Sequence, residues 1–277
     1  MSQILQPVVI DGIKCFSPEV ANSYDDYPDG GFDLTEKSSE TSFWVRSRNR
    51  LFKSIVKRFL AKDRKTKLLE IGCGNGGFIK KIAEDKNIEV TGSEIYVKGL
   101  SYARKSLPDV NFIQFDVSQG ILGESYDMIL AFDVLEHIEK DIDAMSNIKN
   151  MLSAGGKLIV SVPQHMFLWS SLDEIVKHKR RYSRSEMLDK LRASGLEISY
   201  CTSFVFALFP LMVVSRIFDR RRTNSQSDEA AFEKKVSFSG TLNWIFDKVM
   251  QIDEFLIRAG ASLPFGGTLV VVAKRND

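Results

Sequence analysis

Short apolar runs alternate along most of this chain with segments whose apolar positions return every three or four residues. After Ser42, the residues Leu51, Phe52, Ile55, Val56, Phe59 and Leu60 recur at helical spacing opposite Arg50, Lys53, Lys57 and Arg58. This pattern predicts an amphipathic helix leading into a core. Beyond it, Lys67–Cys73, Ile88–Glu94, Asn111–Val117, Asp127–Val134 and Lys157–Pro163 read as strands. Helical segments separate them at Phe78–Glu84, at Lys98–Ser106 and in a stretch ending near Leu152. Ser183–Ala193 adds a helix closed by Gly195, Glu197–Cys201 a strand, and Thr268–Lys274 a last strand after a Gly266-Gly267 turn. Such alternation predicts an α/β fold, a mostly parallel sheet covered by helices on both faces.

Two stretches depart from the pattern. Residues 1–41 are rich in Asp, Ser, Pro and Gly, including Tyr27-Pro28-Asp29-Gly30-Gly31, and show no sustained period. They read as an extended N-terminal arm preceding a domain of residues 42–277. The second, about 204–262, is an insertion longer than a usual loop and is expected to carry its own helices. Leu242, Ile245, Phe246, Val249, Met250 and Phe255 mark one of these, whereas Arg220 to Glu229 is polar and expected to be mobile. No internal repeat is visible.

Composition narrows the classes. The 277 residues are 44% hydrophobic, enough for a real core, and 38 Lys+Arg against 36 Asp+Glu leave a formal charge of +2. That balance gives no global reason to expect a nucleic-acid partner. The three cysteines, Cys15, Cys73 and Cys201, are widely spaced and unpaired by any Cys-x-x-Cys, which argues against a disulfide framework and against a zinc site, so no metal is expected. The first residues lack the basic and apolar regions of a secretory signal. Phe204–Val214 is interrupted by Pro210 and is about half of the ~20 residues a bilayer span needs. A cytoplasmic location is the expectation, with peripheral membrane contact left open by Arg216, Arg220, Arg221 and Arg222 just beyond that stretch.

The first predicted strand runs into Gly72-Cys73-Gly74-Asn75-Gly76-Gly77, where missing side chains let the chain turn sharply and let backbone N–H groups approach a ligand at a helix N-terminus. Gly72, Gly74 and Gly77 also satisfy Gly-x-Gly-x-x-Gly, with Glu94 near the place of a ribose-binding carboxylate, so the glycines alone do not choose between a dinucleotide and another nucleoside cofactor. Glu70 tips the balance, because a carboxylate at the mouth of the loop repels a pyrophosphate and welcomes an ammonium group. Asp116, at the end of the third predicted strand, is placed to accept a hydrogen bond from an adenine amino group. Cys73 reads as a small packing residue rather than a nucleophile.

Leu69-Glu70-Ile71-Gly72-Cys73-Gly74-Asn75-Gly76, Gly92-Ser93-Glu94-Ile95, Asp116 and Asp133-Val134-Leu135-Glu136-His137-Ile138 follow one another in the order of the motifs of the class I, Rossmann-like S-adenosylmethionine-dependent methyltransferases, which residues 43–202 resemble. The resemblance implies a three-layer α/β fold whose seven-stranded sheet is mostly parallel, with a final antiparallel strand that Thr268–Lys274 supplies, preceded by the helical insertion. It implies S-adenosylmethionine as methyl donor and S-adenosylhomocysteine as product. By the same analogy Glu70, Gly72, Cys73, Gly74, Asn75 and Gly76 shape the methionine pocket. Glu94 and Ile95 hold the ribose, Asp116 and Val117 read adenine, and Phe132, Asp133 and His137 order the site. Phe43-Trp44-Val45-Arg46 resembles a segment that closes over the cofactor in one methyltransferase subgroup, which makes Trp44 and Arg46 further candidates.

Methyl transfer from a sulfonium is an in-line displacement, so a base is needed only for acceptors that hold their proton. The three histidines, His137, His165 and His178, all follow motifs on the predicted binding edge. His178 lies in a segment running from Trp169-Ser170 through Asp173 to His178-Lys179-Arg180-Arg181-Tyr182, which resembles a subgroup often associated with glycan, lipid or secondary-metabolite pathways. Asp173 with His178 suits an oriented base, and His165 is a second candidate. Trp169, Arg180, Arg181 and Tyr182 are candidates for holding the acceptor, the arginines by gripping a carboxylate or phosphate. A lid closed by ion pairs is the equally weighted reading of the same segment. The expected acceptor is a small molecule, a sugar or a lipid-linked intermediate, methylated on oxygen or nitrogen. The competing readings are an NAD(P)-dependent oxidoreductase, which lacks a Tyr-x-x-x-Lys pair and must tolerate Glu70, and a peripheral lipid-binding protein.

Overall fold

The computed structural model describes residues 2–22, 42–61, 63–219 and 238–277. The Tyr27–Gly31 turn run and the polar stretch Arg220 to Glu229, with Arg220, Arg221 and Arg222, lie outside these residues. The strands are β1 (Val8–Ile10), β2 (Ile13–Cys15), β3 (Thr66–Ile71), β4 (Ile88–Glu94), β5 (Asn111–Gln114), β6 (Tyr126–Phe132), β7 (Leu152–Pro163), β8 (Glu197–Phe204) and β9 (Thr268–Lys274). The helices are α1 (Phe43–Phe59), α2 (Ile79–Ile82), α3 (Val97–Ser106), α4 (Asp141–Met151), α5 (Ser171–Ile175), α6 (Arg184–Ala193), α7 (Phe209–Asp219) and α8 (Gly240–Arg258).

All nine strands join one sheet in the order β1-β2-β5-β4-β3-β6-β7-β9-β8. From β2 through β7 neighbours run parallel, whereas β9 lies antiparallel between β7 and β8. The seven-stranded expectation is therefore corrected to nine. The addition comes from the segment read as an arm, where β1 and β2 form an antiparallel hairpin that extends the β5 edge. Asp11 and Gly12 both take positive φ (50° and 73°) at its turn, the conformation a two-residue hairpin requires. The Asp-Gly pair between Val8-Val9-Ile10 and Ile13 is the signal that marks it.

The central strands β3, β6, β7 and β9 are largely buried on both faces, and their side chains alternate between two cores as the period of two demands. On β9, Leu269, Val271 and Ala273 join α4 and α6 on one face, while Val270 and Val272 join α1 and α8 on the other. On β6, Ile129 and Ala131 face the first core, and Met128, Leu130 and Phe132 the second. The insertion thus contributes α8 to the body of the domain. Asp253 of α8 is fully buried and accepts hydrogen bonds from the Phe206 and Ala207 amides at 2.6 and 3.0 Å, tying the start of the insertion to its last helix.

Candidate functional site

Because β4 lies on one side of β3 and β6 on the other, the loops after β3 and β6 part at the carboxyl edge of the sheet, the position where open α/β sheets bind ligands. A cleft of about 1290 Å³ opens there. It is lined by Glu70, Gly72, Cys73, Gly74, Asn75, Glu94, Ile95, Asp116, Val117, Phe132, Asp133 and His137, and by Trp44 from α1. Asp173, His178 and Arg181 reach it from the segment after β7.

The glycines divide by what surrounds them. Gly74 has φ +56° and open space where a Cβ would stand, so this turn of the loop faces the cleft. Gly72 has φ +70°, and a Cβ there would lie 2.5 Å from the Val134 side chain. Gly76 also has positive φ, but its missing side chain makes room for Ala103 of α3, at 3.2 Å from an added Cβ. Gly77 lines the cleft, whereas Gly76 lies behind it.

Four acidic groups ring the floor. Glu70 is buried, and its Oε2 has no hydrogen-bond partner. Burial pushes its carboxyl up to about 8, against the pull of Arg48 and with a further push from Glu94. Glu94 accepts the Gly74 amide at 2.9 Å and the Ile95 amide at 2.8 Å, joining the end of β4 to the glycine loop; burial raises its pKa despite these bonds. Asp116 accepts the Ser118 amide at 2.8 Å. Asp133 sits at φ +56° just past β6, strained for a non-glycine residue, and is held by Ser161 Oγ at 2.8 Å and Arg48 Nε at 2.9 Å. Beside them the Cys73 thiol is pushed well up by burial and by Glu94 and Glu70, consistent with a neutral packing group.

Arg48 is the residue that the sequence reading missed. It lies one helical turn after Trp44 on α1, so the two share the face turned to the cleft, while its guanidinium rests 4.8 Å from the Phe52 ring centroid. Arg46 points elsewhere, toward Asp247 of α8 at 3.5 Å, and does not line the cleft. The spacing Trp44, Arg48, Phe52 carried the information, since Phe52 is a core position.

In the segment after β7, Asp173 is the hub. It accepts His178 Nδ1 at 2.9 Å, Arg181 Nε at 2.7 Å and Nη2 at 3.0 Å, and the Ser170 amide at 2.9 Å. Burial alone would raise its pKa, but the bonds from His178 and Arg181 overrule it and hold the carboxyl well below the usual range. The Arg181 guanidinium is thus held by Asp173 and, through Nη1, by the Gln164 carbonyl at 3.3 Å. Arg180 pairs with Asp141 at 3.0 Å and lies outside the cleft lining. Tyr182 is fully buried, its hydroxyl donating to Asp141 Oδ2 at 2.8 Å, so it too cannot touch an acceptor. Trp169 and His165 do not line the cleft, and the His165 ring packs near Phe167 and Phe209. Of the residues expected to meet the acceptor, the structure thus sets Arg180, Tyr182, Trp169 and His165 outside the cleft lining and Arg181 on it.

His178 does face the cleft, with the His137 ring 4.9 Å away between centroids. Burial, and the neighbouring His178, push His137 down to about 4, so its ring is neutral at physiological pH. Glu136 lies beneath both, fully buried, with neither carboxylate oxygen hydrogen-bonded. Leu211 and Met212 of α7 and Phe246 of α8, with Leu208 and Phe238 just before these helices, add an apolar wall to the cleft.

A mixed, mostly parallel α/β sheet with an acid-floored glycine loop at its switch point has a Rossmann-like architecture. Residues 44–200, more than half of the chain, match the family described as "Methyltransferase domain", and the chain belongs to that family. A probable S-adenosylmethionine-dependent methyltransferase of Mycolicibacterium smegmatis is 26% identical over 168 residues, covering 58% of this chain and 62% of that protein. A ubiquinone biosynthesis O-methyltransferase of Rickettsia canadensis is 23% identical over 159 residues, 51% and 67% of the two chains. The fold is shared with Haemonchus contortus phosphoethanolamine N-methyltransferase 2, solved with S-adenosyl-L-methionine (TM-score 0.59, 17% identity, 91% of this chain and 58% of that one). It is also shared with a Synechocystis magnesium protoporphyrin IX methyltransferase bearing S-adenosylhomocysteine (TM-score 0.57, 16% identity, 94% and 100%).

Proposed function

We propose that the chain binds S-adenosylmethionine in this cleft and transfers its methyl group to an oxygen or nitrogen of an acceptor with a substantial apolar body. The observation that carries the reading is the pairing of Gly74, whose missing side chain leaves open space, with Glu70, a buried carboxyl with an unpartnered oxygen at the same loop. A compact ammonium satisfies that oxygen, whereas a pyrophosphate meets Glu70, Glu94 and Asp133. In this reading Glu70 and Asp133 receive the donor's ammonium and Arg48 its carboxylate. Gly72, Cys73, Gly74 and Asn75 supply backbone walls, Glu94 and Ile95 meet the ribose, and Asp116 and Val117 the adenine. Trp44 and Phe132 border the methionine end.

The bound donor supplies an electrophilic methyl carbon, and the protein's work is alignment in a dry pocket. His178 is oriented by Asp173 through Nδ1 and lines the cleft, which leaves Nε2 as the nitrogen suited to receive an acceptor's proton. The apolar wall of Leu208, Leu211, Met212, Phe238 and Phe246 supports an acceptor such as a lipid-linked or hydrophobic metabolite over a small polar one. Incubation with methyl-labelled S-adenosylmethionine and a panel of hydroxyl- and amine-bearing acceptors, graded in apolar size, tests this. Label transfer that improves with apolar size, and falls at least tenfold in His178→Asn while donor binding persists, is expected. Transfer favouring small polar acceptors overturns the acceptor class.

A further inference from the structure

The acidic and imidazole groups under the acceptor side of the cleft are not explained by donor binding. Glu136 is wholly buried, yet both of its oxygens are without a partner. An unpaired buried carboxyl is destabilising when charged and still leaves unmet acceptors when neutral, so the arrangement calls for a partner. His137 Nδ1 is likewise buried without a partner. His178 Nε2 stands 3.8 Å from Glu136 Oε1. One ligand atom from each of Glu136, His137 and His178 lies within 4.8 Å of the other two.

We propose that Glu136, His137 and His178 form a binding site for a divalent transition-metal cation at the acceptor end of the cleft. Three features favour a cation over a hydrogen-bonded ligand. The set is two imidazoles and a carboxylate, the donor combination of open catalytic zinc and related sites. His178 has its Nδ1 fixed from outside by Asp173 at 2.9 Å, which leaves Nε2, 3.8 Å from Glu136 Oε1, as its ligand atom, and His137 Nδ1 is buried without a partner beside them. Lys177, next to His178 in the chain, has φ +57°, strained for a non-glycine residue. Metal–nitrogen and metal–oxygen bonds of roughly 2.0–2.2 Å need ligand atoms about 3.3 Å apart, so side-chain rotations of an ångström or so close the set.

Three protein ligands leave positions open toward the cleft. With His178 Nε2 taken up by the cation, the imidazole no longer serves as the base of the metal-free reading; an acceptor hydroxyl bound to the cation ionises more readily, its proton passing to solvent. The alkoxide oxygen then forms its bond to the methyl carbon while the carbon–sulfur pair stays on sulfur, giving a neutral thioether. This role for the cation rests on the methyl-transfer reading; the site itself does not.

The test is titration of the chelator-treated full chain with Co²⁺, followed by visible absorption and calorimetry, with S-adenosylhomocysteine binding measured in parallel without metal. One saturable equivalent with d–d bands and no thiolate charge-transfer band is expected. Glu136→Gln, which is nearly isosteric, and His178→Gln should each weaken binding at least tenfold. Asp173→Asn should weaken it about tenfold through His178, and His165→Gln should leave it unchanged. Absence of saturable Co²⁺ binding, or binding equal in Glu136→Gln and His178→Gln, overturns the site whether or not S-adenosylhomocysteine binds. Failure of S-adenosylhomocysteine alone removes only the donor reading.

Discussion

Single positions in the glycine loop separate ligand contact from packing. Gly74→Val sends a branched side chain into open cleft, so donor affinity should fall about 100-fold, equivalent to ~2.7 kcal/mol, while the left-handed φ costs only about 1–2 kcal/mol of stability. Gly72→Ala drives its methyl against Val134 and should lower the denaturation midpoint more than Gly74→Ala does. Calorimetry and urea unfolding on the three variants separate these effects. Glu70 adds a pH signature. Its proton, held to about pH 8 in the free protein, must leave when an ammonium group binds. Donor affinity should therefore rise with pH up to about 8, by as much as tenfold per unit, with proton release visible as a buffer-dependent enthalpy at pH 7. An enthalpy independent of buffer contradicts the Glu70 contact. The same raised value makes the free protein lose stability as pH climbs from 4.5 to about 8, because the unfolded chain sheds this proton first. The loop and its acids were legible in sequence because they are contiguous. The commitments of Arg180 and Tyr182 were not, since both meet Asp141, some forty positions earlier in the chain.

At the level of elements, the cleft depends on how α1 is held. Arg50 donates to Glu254 at 2.6 Å and to Asp247 at 3.0 Å, and Ser47 donates to Glu254 at 2.7 Å, so α8 fixes the rotation that turns Trp44 and Arg48 inward. Glu254 is only 4% exposed in its side chain, and Arg50→Ala strands it without its main cation. The expected cost is about 3 kcal/mol by urea denaturation, together with weaker donor binding although Arg50 itself does not line the cleft. Unchanged stability shows that α8 does not set this angle. The helical period fixed both helices in the sequence but not their partnership, because it spans some two hundred positions. The hairpin β1–β2 was marked by Asp11-Gly12, but its three-residue strands were too short to show an alternation against the polar arm around them. In the α5 segment, the ion pairs and the cleft-facing His178 are one structure, so the lid and base readings of Asp173 describe the same contacts.

Over the whole molecule, the formal charge of +2 is nearly neutral, and no helix among the described residues is long and apolar enough to cross a membrane. Leu211 and Phe238, 50% and 41% exposed, nevertheless carry the apolar wall out to the cleft mouth. Leu211→Asp should therefore raise KM for hydrophobic acceptors several-fold and leave donor affinity unchanged, as steady-state kinetics would show. Fold class was readable from the order of elements because a doubly covered parallel sheet needs nearly continuous apolar strands. The acceptor was not readable, because its wall is assembled from an insertion whose packing depends on the rest of the sheet. The most direct test of the account is calorimetric titration of the protein with S-adenosylmethionine and S-adenosylhomocysteine, with NADH in parallel. Saturable binding of the first two, weakened about 100-fold in Gly74→Val and absent for NADH, is the predicted result. Binding of NADH, or binding of the first two undiminished in Gly74→Val, would contradict it.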